Sequence, residues 1–125
     1  MKHMLAFAAV AAMISGPFLV GEEAAATAPA TGQALFRAHC AACHGADGSG
    51  TIGPDLHGVV NRHAAGDPDF AYSAALRHSG KTWTPRELQA FLVRPQAAVP
   101  GTRMAFPGGT AADAAAIVVY LGKLN

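Results

Sequence analysis

The sequence predicts a small all-α domain in which about four helices are joined by long loops. Apolar residues recur at helical spacing in four segments, and three of these segments follow a capping residue. No segment shows the alternation that indicates a β-strand. The two longest loops, residues 45–58 and 94–109, are rich in glycine and proline. Loops of this length in a small domain predict that the chain wraps around a bound group.

The composition is that of one globular domain. With 125 residues, 51% of them hydrophobic and 14% charged, the chain has enough apolar material for one domain and too little length for two. The formal net charge is +1 and there is no run of lysine or arginine, so the sequence offers no electrostatic footprint for nucleic acid. A core of about 100 residues is marginal, and such chains often add a disulfide, a metal or a cofactor.

Residues 1–26 are predicted to be a targeting segment outside the folded domain. A lysine precedes an apolar run over residues 4–20, and polar residues and an A-x-A cleavage site ending at Ala26 follow, as in a secretory signal. The alternative is an uncleaved anchor, because the run approaches the ~20 residues needed to cross a bilayer. Both alternatives predict export. Residues 27–31 then form a linker, and residues 32–125 form the domain.

The first two predicted helices cover residues 32–42 and 70–79. In the first, one stripe is apolar and is expected to be buried: Leu35, Phe36 and Cys40. Asp69 is the predicted N-cap of the second helix, which stops at Gly80.

The third and fourth predicted helices begin with the same arrangement. Thr84 caps the third helix, with Pro85 at its first position and Glu87 at its third. Thr110 and Asp113 stand in the corresponding positions of the fourth helix. Apolar residues then recur at helical spacing: Ile117, Tyr120, Leu121 and Leu124.

Both cysteines of the chain lie in one C-x-x-C-H motif, formed by Cys40, Cys43 and His44. A disulfide is common for exported cysteines, but a thioredoxin-like dithiol should follow a strand, and none is predicted. A zinc site would need a fourth ligand and usually a second close-spaced pair. In the third alternative, covalent haem, each thiol adds to a vinyl group and His44 lies under the ring with a nitrogen facing the iron. The motif and the export signal together favour haem.

Met104 is the candidate for the sixth position on such an iron. The other three methionines lie in the targeting segment, and Met/His ligation is typical of electron-carrying haem proteins. His57 is the rival ligand. The other histidines of the domain are too close to the thiols or lie in polar surroundings: His39, His63 and His78.

Together these motifs resemble a class I cytochrome c of the mitochondrial cytochrome c and bacterial cytochrome c2 group, from residue 32 to residue 124. Gly32 and Phe36 match first-helix positions that pack against an aromatic residue of the last helix, here Tyr120. The loop "GPDLHG" resembles a family loop in which a proline carbonyl accepts a hydrogen bond from the proximal histidine. The resemblance therefore assigns that role to Pro54 and fixes the orientation of His44.

The resemblance also implies residues around the haem edge. Tyr72 and Trp83 match a buried pair that hydrogen-bonds a haem propionate, and Arg62 matches an arginine near that propionate. Within "VPGTRMAF", which resembles the methionine-ligand loop, Thr102 matches a donor near the haem edge. Phe91 is a departure, because many relatives carry a tyrosine there whose hydroxyl reaches the methionine sulfur.

The lysine ring of the mitochondrial proteins is largely missing. At or near its positions stand His39, Gln96, Ala97 and Thr110, and Arg103 remains as one basic residue. We therefore expect little charge steering and a docking face made mainly of apolar contacts. The candidates for that face are Ala97, Val99, Ala105 and Phe106.

The resemblance implies an electron carrier and not an enzyme. One haem c, bound through Cys40 and Cys43 with His44 and Met104 as axial ligands, would cycle between Fe(III) and Fe(II) with no open position for a substrate. A methionine ligand raises the reduction potential, which suits a respiratory or photosynthetic chain. The alternatives are a haem subunit bound to a dehydrogenase, and a ligand sensor or peroxidase in which Met104 is labile.

The implied partners are redox proteins. The donor would be a cytochrome bc1-type complex, and the acceptor a terminal oxidase, a reaction centre or a dehydrogenase. We expect a monomer in the periplasm that binds no nucleic acid. Membrane contact is expected only if residues 1–26 anchor the chain to the periplasmic side of the inner membrane.

Overall fold

The computed structural model describes residues 28–125, so the predicted targeting segment, residues 1–26, lies outside the described residues. Within residues 28–125 the chain has no strand, and one isolated β-bridge joins His63 to Thr82. No helix in this part of the chain is both long and apolar enough to cross a membrane. The all-α prediction is confirmed by six helices: α1 Gly32–His39, α2 Ala41–His44, α3 Ala74–Arg77, α4 Pro85–Val93, α5 Pro95–Ala98 and α6 Ala111–Leu121.

The predicted caps of α4 and α6 are confirmed. Thr84 Oγ1 accepts a hydrogen bond from the Glu87 N–H at 3.2 Å, and Thr110 Oγ1 accepts one from the Asp113 N–H at 3.1 Å. Each bond satisfies a donor of the first helical turn that has no partner within its own helix. The two helices therefore start where the sequence places them.

The helix predicted over residues 70–79 is only the single turn α3, and its predicted cap is wrong. Ser73 is the N-cap, and its Oγ accepts a backbone hydrogen bond from the first turn of α3 at 3.2 Å. Asp69 instead donates its N–H to Asp67 Oδ1 at 3.0 Å, and the Asp67 N–H donates to the Tyr72 hydroxyl at 3.1 Å. These local bonds compete with helical ones and hold the preceding residues in a turn.

The first predicted helix, residues 32–42, is divided at Cys40. This residue has φ −119° and separates α1 from α2. Helical hydrogen bonds continue across the bend, because the Cys40 N–H donates to the Phe36 carbonyl at 2.8 Å and the His44 N–H donates to the Cys40 carbonyl at 2.9 Å. Cys40 and His44 are thereby held one turn apart.

The core forms where α1 and α4 pack against α6. Phe36 is completely buried, and its ring centroid lies 5.2 Å from that of Tyr120, so the expected contact between the first and last helices is confirmed. Gly32 permits this close crossing, because a Cβ there would lie 2.0 Å from the carbonyl oxygen of Ala116. Other buried side chains near these helices are Val59, Leu88, Leu92, Ala114, Ile117, Val118 and Leu121.

We predict that Gly32→Ala lowers the free energy of unfolding by about 1–3 kcal/mol, because the new methyl group overlaps the Ala116 carbonyl. Guanidinium unfolding followed by circular dichroism measures the change. Gly122→Ala, at the C-cap of α6, is the matched control: the φ of Gly122 is −63° and the atom nearest to an added Cβ is 3.5 Å away. That variant should be neutral or stabilised by about 0.4–1 kcal/mol. Equal stabilities of the two variants would contradict the role given to Gly32.

Candidate functional site

A cavity of about 930 Å³ lies between the helices and the two long loops. Much of its wall is apolar and is supplied by Phe36, Leu88, Phe91, Leu92, Ile117 and Leu121. All of the predicted site residues line this one cavity: Cys40, Cys43, His44, Pro54, Arg62, Tyr72, Trp83, Thr102 and Met104. A mostly apolar cavity with a few convergent polar groups is typical of a cofactor site.

The two cysteines differ in exposure although they lie close together along the chain. Cys40 is buried, Cys43 is exposed, and neither forms a disulfide. Burial, and to a lesser extent the charge of a Cys43 thiolate, raise the pKa of Cys40 to about 11, so Cys40 is an uncharged thiol at neutral pH. Among residues 28–125, no three His, Cys, Asp or Glu side chains cluster as a metal site requires, so the zinc alternative has no ligand set.

The imidazole of His44 is buried, and its orientation is fixed by a backbone carbonyl. His44 Nδ1 lies 2.9 Å from the carbonyl oxygen of Pro54. Because a carbonyl can only accept, Nδ1 carries the hydrogen and the lone pair is on Nε2, the nitrogen that can bind a metal. Gly53 allows the loop to come this close, since a Cβ there would lie 2.8 Å from His44 Cε1.

The loop before Pro54 is also bound to α2 through its backbone. The Gly53 N–H donates to the Cys43 carbonyl at 2.7 Å, and the Gly50 N–H donates to the His44 carbonyl at 2.8 Å. The Thr51 hydroxyl adds a third bond, also to the Cys43 carbonyl, at 2.8 Å. The C-x-x-C-H turn and this loop therefore form one unit.

Met104 lines the cavity from the loop between α5 and α6. Its N–H donates to Thr102 Oγ1 at 3.3 Å, and Thr102 is buried. Gln96 holds the same loop, because its Nε2 donates to the Thr102 carbonyl at 2.8 Å and its Oε1 accepts the Gly101 N–H at 3.3 Å. The backbone on the N-terminal side of Met104 is thus fixed by side chains as well as by main-chain bonds.

Arg62 lies beside the cavity and is held by two main-chain carbonyls. Its Nη1 donates to the carbonyl of His57 at 3.1 Å, and its Nη2 donates to that of Asp55 at 2.9 Å. The Nε is buried and has no hydrogen-bond partner in the protein. A buried donor without a partner costs about 1–3 kcal/mol. The unpaired Nε therefore indicates that a bound group supplies an acceptor, and a carboxylate fits.

The rival ligand His57 does not line the cavity. Its Nδ1 donates to Asp55 Oδ1 at 2.7 Å, and its own N–H donates to the same carboxylate oxygen at 2.8 Å. These bonds lower the pKa of Asp55. His63 and His78 are exposed and lie outside the cavity, whereas His39 is exposed and lines it.

The aromatic residues of the site pack in pairs. Trp83 and Phe91 are buried with ring centroids 4.9 Å apart, and both line the cavity. Tyr72 is buried against the edge of Phe70 at 4.8 Å, and burial raises the pKa of its hydroxyl. A phenylalanine at position 91 therefore contributes apolar wall where a tyrosine would have added a hydroxyl.

Two residues that support the site were not predicted. The sequence indicates Gln96 only as a position near the missing lysine ring, and it gives no signal for Asp67. Asp67 Oδ2 accepts the Asp55 N–H at 3.1 Å and so joins the loop that carries Pro54 to the segment that carries Tyr72. The bonded residues are 12 positions apart, and no local sequence pattern predicts such a bond.

The expected apolar docking face needs one correction. Val99 is only 3% exposed and packs in the core, so it is not available to a partner. Ala105 is exposed and Phe106 is half-buried, and both line the cavity where it opens to solvent. Ala97 is exposed but lies outside this cavity.

The sequence family model described as cytochrome c matches residues 29–125. The chain belongs to the cytochrome c family. Cytochrome c-type cyt cy of Rhodobacter capsulatus is 44% identical over 94 residues, which are 74% of this chain and 47% of that protein, so this chain spans about half of that relative. Cytochrome c2 of Rhodoblastus acidophilus is 43% identical over 100 residues, covering 78% of this chain and 92% of the relative. The solved structure of cytochrome cH from Methylobacterium extorquens matches with a TM-score of 0.68 and 39% identity, over 74% of this chain and 94% of that one.

These similarities confirm the predicted class I cytochrome c and its cofactor. This cytochrome c is an electron carrier that binds haem c covalently through Cys40 and Cys43. The cavity fits the group: the cysteines lie at one side, the wall is largely apolar, and the unpaired Nε of Arg62 suits a carboxylate substituent.

We predict that haem stays on the polypeptide after denaturation and extraction with acidic acetone, because thioether bonds survive both treatments. Cys40→Ala and Cys43→Ala should each retain haem through the remaining thioether, and the double variant should release it. The absorbance of the extract measures free haem. Free haem recovered from the unmodified protein would contradict covalent attachment.

Proposed function

We propose that this cytochrome c carries single electrons in a respiratory or photosynthetic chain, with His44 and Met104 as the axial ligands of the haem iron. One observation carries the ligand assignment. A histidine whose lone pair is on Nε2 and the single methionine of residues 28–125 line the same cavity as the two cysteines. The haem, when bound, supplies a reversible one-electron change between Fe(III) and Fe(II).

The residues around the cavity have three tasks. The Pro54 carbonyl keeps the His44 imidazole in the tautomer and orientation suited to a metal bond. Thr102 and Gln96 fix the loop that presents the Met104 thioether, a ligand that favours a high reduction potential. The apolar wall keeps water away from the site, and this exclusion of water also affects the reduction potential.

The exposed large hydrophobic side chains are isolated from one another, and this supports a carrier that docks only transiently with its partners. Among residues 28–125, the large hydrophobic side chains that remain most exposed are Ile52 at 76% and Val119 at 64%. They belong to different elements, and only Ile52 lines the cavity. A subunit bound permanently to a dehydrogenase would present a broad apolar interface instead.

The proposed donor is a cytochrome bc1-type complex, and the proposed acceptor is a terminal oxidase, a reaction centre or a dehydrogenase. The order of charged, apolar and polar residues in positions 1–26 supports export to the periplasm, by cleavage or with the segment retained as an inner-membrane anchor. A retained anchor would raise the effective concentration of a membrane-bound partner. The folded domain is proposed to be a monomer.

We predict that Met104→Ala abolishes the weak sulfur-to-iron charge-transfer band of the oxidised protein, because the thioether is lost. The reduction potential should fall, and the reduced variant should bind carbon monoxide rapidly. Visible spectra, redox titration and carbon monoxide mixing measure these changes. The unmodified protein is the control and should bind carbon monoxide slowly or not at all near neutral pH. Fast stoichiometric binding by the unmodified protein would favour the sensor or peroxidase alternative.

We also predict that electron transfer to the acceptor depends only weakly on ionic strength near neutral pH. The region of the cavity opening carries few permanent charges, and steering between charged surfaces is what salt screens. The association rate constant should then lie near the roughly 10⁵ to 10⁶ M⁻¹s⁻¹ that is typical of docking faces without charge steering. Stopped-flow rates measured from about 0.01 to 0.5 M salt test this. A steep fall of the rate across that range would reveal a charged docking face.

A further inference from the structure

The peptide group between Pro54 and Asp55 has a hydrogen bond at each end. Its carbonyl oxygen, which belongs to Pro54, lies 2.9 Å from His44 Nδ1. Its N–H, which belongs to Asp55, donates to Asp67 Oδ2 at 3.1 Å. One planar, conjugated amide therefore connects the carboxylate of Asp67 to the imidazole of His44.

Asp67 is held in its turn by more than this one bond. Its second carboxylate oxygen, Oδ1, accepts the N–H of Asp69 at 3.0 Å. Its own backbone N–H donates to the hydroxyl of the buried Tyr72 at 3.1 Å. Asp67 is half-buried, so solvent and salt screen its charge only in part. The carboxylate is thus fixed in position and remains electrostatically effective toward the amide it contacts.

A charge of opposite sign holds the other side of residue 55. Arg62 Nη2 donates to the carbonyl of Asp55 at 2.9 Å. The backbone of this residue therefore has a carboxylate at its N–H and a guanidinium at its C=O. The carboxylate comes from a residue 12 positions away, so the loop does not make this arrangement by itself.

We propose that Asp67 is a positioning residue for His44, and that it acts through the 54–55 peptide group by making the Pro54 carbonyl a stronger hydrogen-bond acceptor. A hydrogen bond to a carboxylate is charge-assisted and roughly twice as strong as a neutral one. Hydrogen bonds in a chain polarise one another, so electron density shifts toward the carbonyl oxygen and strengthens its bond to Nδ1–H. The lone pair on Nε2 becomes a stronger donor, as it does when a metal-bound histidine is hydrogen-bonded to a carboxylate.

The expected consequence is a lower reduction potential. A more basic Nε2 stabilises Fe(III) more than Fe(II), because Fe(III) carries the greater positive charge. The Asp67 carboxylate and the Met104 thioether then act in opposite directions, since the thioether raises the potential. This inference rests on the proposed function, because it requires that Nε2 of His44 binds the iron.

The test compares Asp67→Asn with Asp69→Asn in the haem-containing protein. Asparagine has one acceptor oxygen in place of two, so in Asp67→Asn the N–H of Asp55 has a neutral acceptor or none. Asp69→Asn is the matched control, because Asp69 is exposed in the same turn and bonds to Asp67 through its N–H. It removes an equal charge and leaves both bonds of the Asp67 carboxylate in place. Visible spectra and circular dichroism check that each variant keeps the fold and the haem.

Redox titration against a mediator of known potential measures the first effect. In Asp67→Asn the equilibrium constant for reduction should rise roughly three- to tenfold, which corresponds to about 30–60 mV at 59 mV per tenfold change for one electron. In Asp69→Asn it should change by less than about twofold, because an exposed charge is screened.

Nuclear magnetic resonance of the reduced protein measures the second effect at the peptide group itself. The amide proton of Asp55 and the Nδ1 proton of His44 should both move upfield in Asp67→Asn, because both hydrogen bonds weaken together. Both protons should keep their positions in Asp69→Asn. A carboxylate that only holds the turn in shape would leave the Nδ1 proton where it is.

Two results would overturn the inference. Equal changes of potential in the two variants would assign the effect to charge acting through space, and an unmoved Nδ1 proton in Asp67→Asn would show that the peptide group transmits nothing. The proposed ligand is tested in the same spectra, because the ring current of a haem shifts the ring protons of a bound imidazole far upfield. Ring protons of His44 without this shift would contradict the ligand assignment, whereas shifted ring protons with an unmoved Nδ1 proton would contradict only the role of Asp67.

Discussion

The hydrogen bond between His44 Nδ1 and the Pro54 carbonyl is the contact on which the site depends. It fixes which ring nitrogen is protonated and therefore which one keeps a lone pair for the proposed bond to iron. The bond requires the loop to approach the ring more closely than any side chain at position 53 would allow, and Gly53 meets that condition. Backbone bonds from the same loop to α2 then set the position of the ring relative to both cysteines.

The helices and the two long loops together enclose a cavity that the protein's own side chains do not fill. Protein interiors are close-packed, yet this domain of about 100 residues surrounds a cavity of about 930 Å³. The α1–α6 crossing at Gly32 and Phe36 forms one wall, and the loop held by Gln96 forms another. The covalent haem therefore completes the hydrophobic core, and its binding contributes to the stability of the folded state.

The sequence predicted those parts of the fold that have local causes. The caps at Thr84 and Thr110 follow from hydrogen bonds made within one helical turn, and both were correct. The cap at Asp69 was wrong because Asp67 captures the Asp69 N–H and Tyr72 receives the Asp67 N–H. The apolar pattern could not reveal that competition.

The residues of the site were predicted more fully than the contacts that position them. Spacing and family resemblance indicated the cavity-lining residues, because the C-x-x-C-H motif and the single methionine of the domain are local signals. The bond from Asp55 to Asp67, the bracing by Gln96 and the burial of Val99 depend on how distant segments meet. Such contacts arise when distant segments pack together, and no local sequence pattern predicts them.

The backbone, and not the neighbouring side chains, makes the direct hydrogen bonds to Arg62. Its guanidinium is held by the main-chain oxygens of residues 55 and 57, so the side chains at those two positions are not what fixes it. The Asp55 carboxylate accepts the N–H of His57, so a substitution at residue 55 would also loosen the turn that presents these oxygens, whereas a substitution at residue 57 would leave that bond in place. Residue 57 is therefore the position at which the charge near Arg62 can be changed without rebuilding the cofactor pocket.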